Sequence, residues 1–393
     1  MKTYIKNIQI VLENELIENG AILIEGEKII DIFLSSKDDQ QADVVIDGKG
    51  QLAVPGYIDS HCHGGGGFDC NDSTIEAIEG VTEYYRSHGM TAYYPSLAAD
   101  KMDRLIDGFD AIRAAMKANQ AGKVEVLGTH LEGPFLNRVY KGSQAEENII
   151  PITEEHIATL QKYKDVIKRI TIAPEVDRNV DLFPKLVEMG MVITGGHSNA
   201  TYSEAKEAAA KGMRGVTHLH NAMSQVKKVG PFRVPGLVEA GLNIDDLYAE
   251  IIADGNHVPD ELIQIACRCK GTDKVFICSD ANRATGAADG IIHTCGQIFL
   301  IENGIALNSE RTSLASSITP IDEMVRKLIL NVKIPLLNVF KMASTNIAKM
   351  MRIDERKGSI AVGKDADINL LDSGYNVTRT FCKGVQSFEG LQS

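Results

Sequence analysis

The chain has no apolar run long enough to span a membrane or act as a secretory leader. Its opening residues, MKTYIKNIQIVLENELIENG, break every apolar stretch with a charge. It is also short of positive charge: 41 basic side chains against 53 acidic ones leave a formal net charge of -12, which speaks against a nucleic acid or an anionic membrane as main partner. Low-complexity tracts are missing, and 44% hydrophobic with 24% charged residues is the balance of a soluble globular chain. The seven cysteines (Cys62, Cys70, Cys267, Cys269, Cys278, Cys295 and Cys382) are an odd number without the spacing of a disulfide framework. That suits a reducing compartment, and the expectation is a cytoplasmic protein. Cys267 and Cys269 form a lone CxC with no second pair, so they read as small residues in or near a helix rather than a zinc site.

Within 393 residues there is room for one large barrel and a small companion. Short β-like runs punctuated by Asn19-Gly20 and Gly26-Glu27 fill the start, and GSIAVGKDADINLLD with NVTRTFCKGV repeats that character near the end. The two ends are expected to pair into one small β-sandwich domain, residues 1–53 and 353–393, leaving 54–352 as a continuous insertion. There, apolar runs beginning near Val54, Thr91, Val124, Ile170, Met191, Gly215, Leu247 and Lys274 alternate with helix-like segments such as IEAIEGVTEYYRSHG. Eight such units imply an α/β chain folded as a (β/α)8 TIM barrel. A hairpin, GQIFLIENGIALNS, turning at Asn303-Gly304, interrupts the last unit.

Barrel enzymes work at the C-terminal rim of their strands, so what each run ends in carries the functional information. The first ends in His61-Cys62-His63, the third in His130 and Glu132, the fifth in His197, the sixth in His218 and His220. The seventh runs on to Asp254 and His257, and the eighth ends in Asp280. Residues 61 and 63 share a strand face, so both imidazoles can enter the mouth while Cys62 faces the helices. One HxH alone is weak evidence. Joined to Glu132, His197, His218 and Asp280, each at its own strand end, it points to a divalent metal held by mixed nitrogen and oxygen ligands. His130 and His220 read as supporting or pocket-lining residues, and His88, His156 and His293 as structural or solvent-facing. The run Gly64–Gly67 is followed by no GK[ST], which excludes a Walker loop; it reads as permissive backbone passing close to a metal and substrate.

With these residues in place, the chain resembles the amidohydrolase superfamily and, within it, the deacetylases of N-acetylated amino-sugar 6-phosphates. The likeness rests on PGYIDSHCHGGGGFD, HLEGPFLN, GGHSNAT, THLHNAM, ADGNHV, SDA and GSIAVGKDADINLLD. It implies metal-dependent hydrolysis of N-acetylglucosamine 6-phosphate to glucosamine 6-phosphate and acetate, with one or two divalent ions per chain, zinc or iron. Glu132, His197 and His218 would hold the main ion and Asp280 would be the catalytic carboxylate. His61 and His63 could support a second ion with Glu132 bridging, which agrees with the fourth strand, ITIAPE, ending without the lysine that other superfamily members carboxylate. Asn221 and Ala222 would bind the sugar phosphate and His257 the sugar, while Arg233 would meet the phosphate, within one subunit or across a homodimer. Gln144 stands where some members have histidine, His220 where phenylalanine is usual, and the loop to Arg233 is long for the family. The competing expectations are another N-acyl amino sugar as substrate, or a catalytically silent barrel used for binding.

Overall fold

The computed structural model describes residues 1–36, 40–294 and 297–390. Eight parallel strands build a barrel wall: Tyr57–Cys62, Met90–Ala98, Thr129–Glu132, Ile167–Ile172, Val192–Gly195, Met213–Val216, Tyr248–Ile252 and Val275–Cys278. A helix follows each, from Ile75–Tyr85 after the first to Ile321–Lys327 after the eighth. Pairing passes round the wall in order, with the first strand joined to the second at Tyr57/Met90 and Ile58/Ala92. The eighth returns to the first at the rim, where the Asp280 N–H donates to the His61 carbonyl at 2.8 Å. This is the expected (β/α)8 barrel.

The residue pattern explains why. Strands such as Tyr248–Ile252 and Val275–Cys278 are buried along their whole length, which suits mostly apolar rather than alternating character. The helices bury one stripe only: Ile75–Tyr85 turns Ala77, Ile78, Val81 and Tyr85 inward. Its start is fixed by Thr74, whose hydroxyl oxygen accepts the Ala77 N–H at 3.2 Å.

Both chain ends do meet. Ile368–Leu371 pairs antiparallel with Leu52–Pro55, which lies parallel to Lys2–Val11. The β companion takes the form of one continuous eight-stranded sheet, curled so that Lys28 on its far edge bridges to Asp365. It closes on its own core of Ile5, Ile8, Ile22, Ile24, Ile368 and Phe381. An ionic knot ties this sheet to the barrel. Buried Lys357 pairs with Asp367, with Glu125 at 2.8 Å and with Asp365 at 3.2 Å, while Arg356 bridges Glu125 and Asp365 at 2.9 and 2.7 Å.

The expected hairpin gains a third strand: Gly290–Thr294 pairs with Gln297–Glu302, which pairs with Ile305–Asn308. Asn303 and Gly304 take positive φ values of 54° and 74° at its turn. Phe299 from this sheet and Leu314 just beyond it reach the mouth of the barrel. Cys295 lies outside the described residues.

Candidate metal centre

His61 and His63 bring their Nε2 atoms to 3.1 Å of each other, as the two-residue strand period demands. On the opposite side, Nε2 of His197 and of His218 are 3.0 Å apart. Glu132 lies between the pairs. Its Oε1 is 3.2 Å from His61 Nε2 and 3.1 Å from both His197 Nε2 and His218 Nε2, while its Oε2 is 3.1 Å from His63 Nε2. Asp280 places Oδ1 3.4 Å from both His61 and His63.

Four imidazole nitrogens crowding one carboxylate have lone pairs that repel unless protons or a cation lie among them. The donor set therefore fits a divalent first-row ion, or two sharing Glu132. Among the described residues three groups of three have ligand atoms close enough together, and two of them share Glu132 at the mouth: His61-His63-Glu132 and Glu132-His197-His218. Burial works against the Glu132 carboxylate, but the His61 and His197 imidazoles outweigh it and hold the group well below its ordinary range. For His61 and His63 burial disfavours protonation and the carboxylates overcome it, raising His61 well above its ordinary value and His63 to about 9.

Local backbone geometry aims these groups. His197, His218 and Asp280 each stand two residues beyond a strand end, rather than on it as the sequence suggested. They adopt left-handed φ values of 47°, 33° and 45°. Such a conformation costs about 1–3 kcal/mol per non-glycine residue and persists where the surroundings impose it. Here it turns each side chain off the wall into the mouth.

A cavity of about 370 Å³ opens above, lined by Gln144, Asn221, Ala222, His257 and Asp280 among others. Gln144 donates to Glu132 Oε2 at 2.7 Å and accepts the Ala99 N–H at 2.7 Å. His257 Nδ1 is 2.7 Å from Asp254 Oδ2. Burial lowers its proton affinity, but the Asp254 hydrogen bond and charge raise it above the ordinary value. Arg233 is not with them. It sits exposed on the hairpin Lys227–Val229/Phe232–Val234, outside this cavity's lining. His130 lies below the centre, 2.7 Å from Thr171 Oγ1 and 3.0 Å from Ser96 Oγ, and His220 keeps a buried Nε2 without a hydrogen-bond partner. His156 caps the helix Glu154–Lys162 through Thr153, and His88 pairs with Asp322 at 2.9 Å. His293 is exposed on its strand.

Two members of the glycine run, Gly64 and Gly65, are required by packing, while Gly66 and Gly67 take positive φ values of 61° and 93°. A Cβ on Gly64 would meet the Phe68 carbonyl oxygen at 2.2 Å, and one on Gly65 the Tyr85 ring at 2.7 Å. These residues pair with Phe68–Asp69 in a tight hairpin pressed on the first helix. The sequence also left two residues unremarked: Glu250 and Arg169, fully buried beneath the imidazoles. Their signal was a carboxylate and a guanidinium inside apolar strand runs, YAEII and IKRITI.

A closed (β/α)8 barrel that gathers four imidazoles and two carboxylates at its C-terminal rim defines a metal-dependent barrel hydrolase. The chain belongs to the amidohydrolase family, which matches it over residues 52–386. It is 32% identical over 389 residues to the N-acetylglucosamine-6-phosphate deacetylase of Bacillus subtilis, covering 98% of this chain and 96% of that protein. It is 28% identical to the N-acetylgalactosamine-6-phosphate deacetylase of Escherichia coli O157:H7, covering 85% and 87% of the two chains. Among solved structures, the N-acetylglucosamine-6-phosphate deacetylase from Pasteurella multocida superimposes with a TM-score of 0.92 at 32% identity, over 98% of this chain and 99% of that one.

Proposed function

We propose that the protein removes the acetyl group of N-acetylglucosamine 6-phosphate, giving glucosamine 6-phosphate and acetate. The observation that carries this is Asp280, with Oδ1 3.4 Å from two imidazoles of a centre built around Glu132 and its carboxylate facing the cavity. Glu132, His197 and His218 would hold one ion and His61 and His63 a second, with Glu132 between them and Asp280 able to join. Zinc or iron suits this donor set. Such an ion supplies Lewis acidity, lowering the pKa of a water in the cavity toward about 7 and polarising the acetyl carbonyl.

The chain's own groups would do the rest. Burial disfavours ionisation of Asp280, but His61 and His63 outweigh it and hold the carboxyl below its ordinary range. It is therefore a carboxylate able to take a proton from the attacking water and pass it to the departing nitrogen. His257, braced by Asp254, and Gln144, braced by Ala99, would hydrogen-bond the sugar hydroxyls and the amide. Asn221 and Ala222 line the same cavity and would meet the phosphate. Arg233 would complete that phosphate site from the hairpin of a second subunit in a homodimer, and the six cysteines among the described residues, all free, fit a reducing, cytoplasmic setting.

Acetate release from a panel of N-acetyl sugars tests the assignment. N-acetylglucosamine 6-phosphate should be hydrolysed with the highest kcat/KM. Preference for the galactose epimer would shift the assignment to the activity of the Escherichia coli relative, and equal turnover of unphosphorylated sugars would remove the phosphate site.

A further inference from the structure

Beneath the two imidazole pairs, the barrel floor holds an ion pair that touches both. Glu250, on the seventh strand, puts Oε1 2.9 Å from His61 Nδ1 and accepts the His218 backbone N–H on the same oxygen at 3.0 Å. Its other oxygen pairs with Arg169 Nη1 from the fourth strand. Arg169 is held in turn by the Ser60 carbonyl at 3.1 Å, Ser60 Oγ at 3.0 Å, Thr217 Oγ1 at 3.2 Å and Thr194 Oγ1 at 3.3 Å. Both side chains of the pair are wholly buried.

A carboxylate only accepts hydrogen bonds, so its contact with His61 Nδ1 requires the proton on that nitrogen. Nε2 is then the nitrogen that faces Glu132 and His63 and is left to meet an ion. Arg169 keeps Glu250 ionised where a lone buried carboxylate would take up a proton, and it leaves that carboxylate little reason to capture a cation of its own. Although His61, Glu250 and Cys278 present three ligand atoms close together, Nδ1 is engaged and the charge is already matched.

We propose that Glu250 and Arg169 together are positioning residues of the metal centre. The pair fixes the His61 tautomer and, through the His218 backbone, aligns one imidazole from each side of Glu132. The proposal rests on the metal-dependent reading above and goes beyond it by assigning the support on which ion affinity depends.

Zinc affinity of the full chain, measured by chelator competition without substrate, tests it. Arg169→Met/Glu250→Leu removes both charges together and so avoids stranding one. It should weaken zinc binding about 10–100-fold, the usual cost of losing a ligand's supporting hydrogen bond. In a His61→Ala background the same double change should cost clearly less than in the wild type, the remainder being what acts through the His218 backbone. Arg169→Met/Glu250→Gln, whose amide oxygen can still accept from His61 Nδ1–H and the His218 N–H, should recover most of the affinity. An equal loss with and without His61, no loss at all, or a glutamine variant as weak as the leucine one overturns the proposal. Wild-type protein that takes up neither zinc nor iron(II) overturns both this and the metal-dependent reading. Because binding is read without substrate, a failed acetate assay alone leaves the affinity comparison standing.

Discussion

Asp280 shows how much a single residue's role depends on its neighbours. In isolation SDA is an unremarkable tripeptide; in the fold its carboxylate is turned off the wall by a φ of 45° and set 3.4 Å from His61 and His63. If it carries the proton in both steps, Asp280→Asn should lower kcat by about 10²–10⁴-fold, the usual contribution of a positioned acid-base group. Metal content, measured by elemental analysis on the same sample, should stay close to wild type because four imidazoles and Glu132 remain. Near-normal turnover with the metal retained would assign the proton transfer elsewhere. At this scale the sequence was informative about side-chain type but not about support: His61, His63, Glu132, His197, His218 and Asp280 could be picked out because each follows an apolar run. Glu250 could not, since a strand reading counts a mid-strand carboxylate as an interruption until its buried guanidinium partner, 81 positions away, is known.

The knot around Lys357 works between elements, joining the short barrel-side strand Glu125–Val126 to the loop that carries Asp365 and Asp367. Burial opposes the charge on Lys357, yet the Asp367 and Glu125 carboxylates raise its proton affinity well above the ordinary lysine value. Burial likewise opposes ionisation of Glu125 and Asp365, and the surrounding cations lower both. A depressed carboxyl stabilises the fold above its unfolded pKa, about 4, and that contribution is lost as pH falls through the lower folded value. Raised Lys357 contributes below its unfolded value, about 10.4, and loses that contribution only as pH rises further. Thermal unfolding should therefore be insensitive to Lys357, Glu125 and Asp365 between roughly pH 5 and 9 and destabilised below about pH 4 by the two carboxyls, with Asp367, which burial raises, acting in the opposite sense. Lys357→Met should cost about 3–5 kcal/mol at pH 7, the range for breaking a buried ion pair, and should show a shallower acid decline than wild type. Equal slopes for the two proteins would place the acid sensitivity outside this knot. The companion sheet was legible because both ends carry Gly-punctuated β runs; the knot was not, because GKDADINLLD gives no hint of which residues it will face.

At the scale of the whole molecule, Arg233 is the residue that a single chain leaves unexplained. It is exposed on a hairpin beside Phe232, which is 72% exposed, and Val229, which is 52% exposed, an apolar tip suited to burial against a second copy. If Arg233 meets the phosphate across a dimer, Arg233→Ala and Asp280→Asn homodimers should each be impaired, and a hybrid of the two should regain activity. One of its sites would combine an intact Asp280 with the partner's intact arginine. Co-expression with two affinity tags isolates that hybrid, and no recovery of acetate release would place Arg233 within its own chain or outside the site.

The order of apolar runs, the polar residues that follow them and the turn glycines determined the barrel, the layer made from both ends and most groups at the rim. Those features follow from local period and chain order, which any reader of the sequence can count. Tertiary structure alone decided that His197, His218 and Asp280 stand in left-handed positions past their strands, turned into the mouth. It likewise decided that Gly64 and Gly65 are small because Phe68 and Tyr85 press on them, and that Arg169 and Glu250 form one neutral unit under the imidazoles. Each of these depends on which distant segments closure of the barrel brings within a few ångströms, a relation that periodicity does not encode.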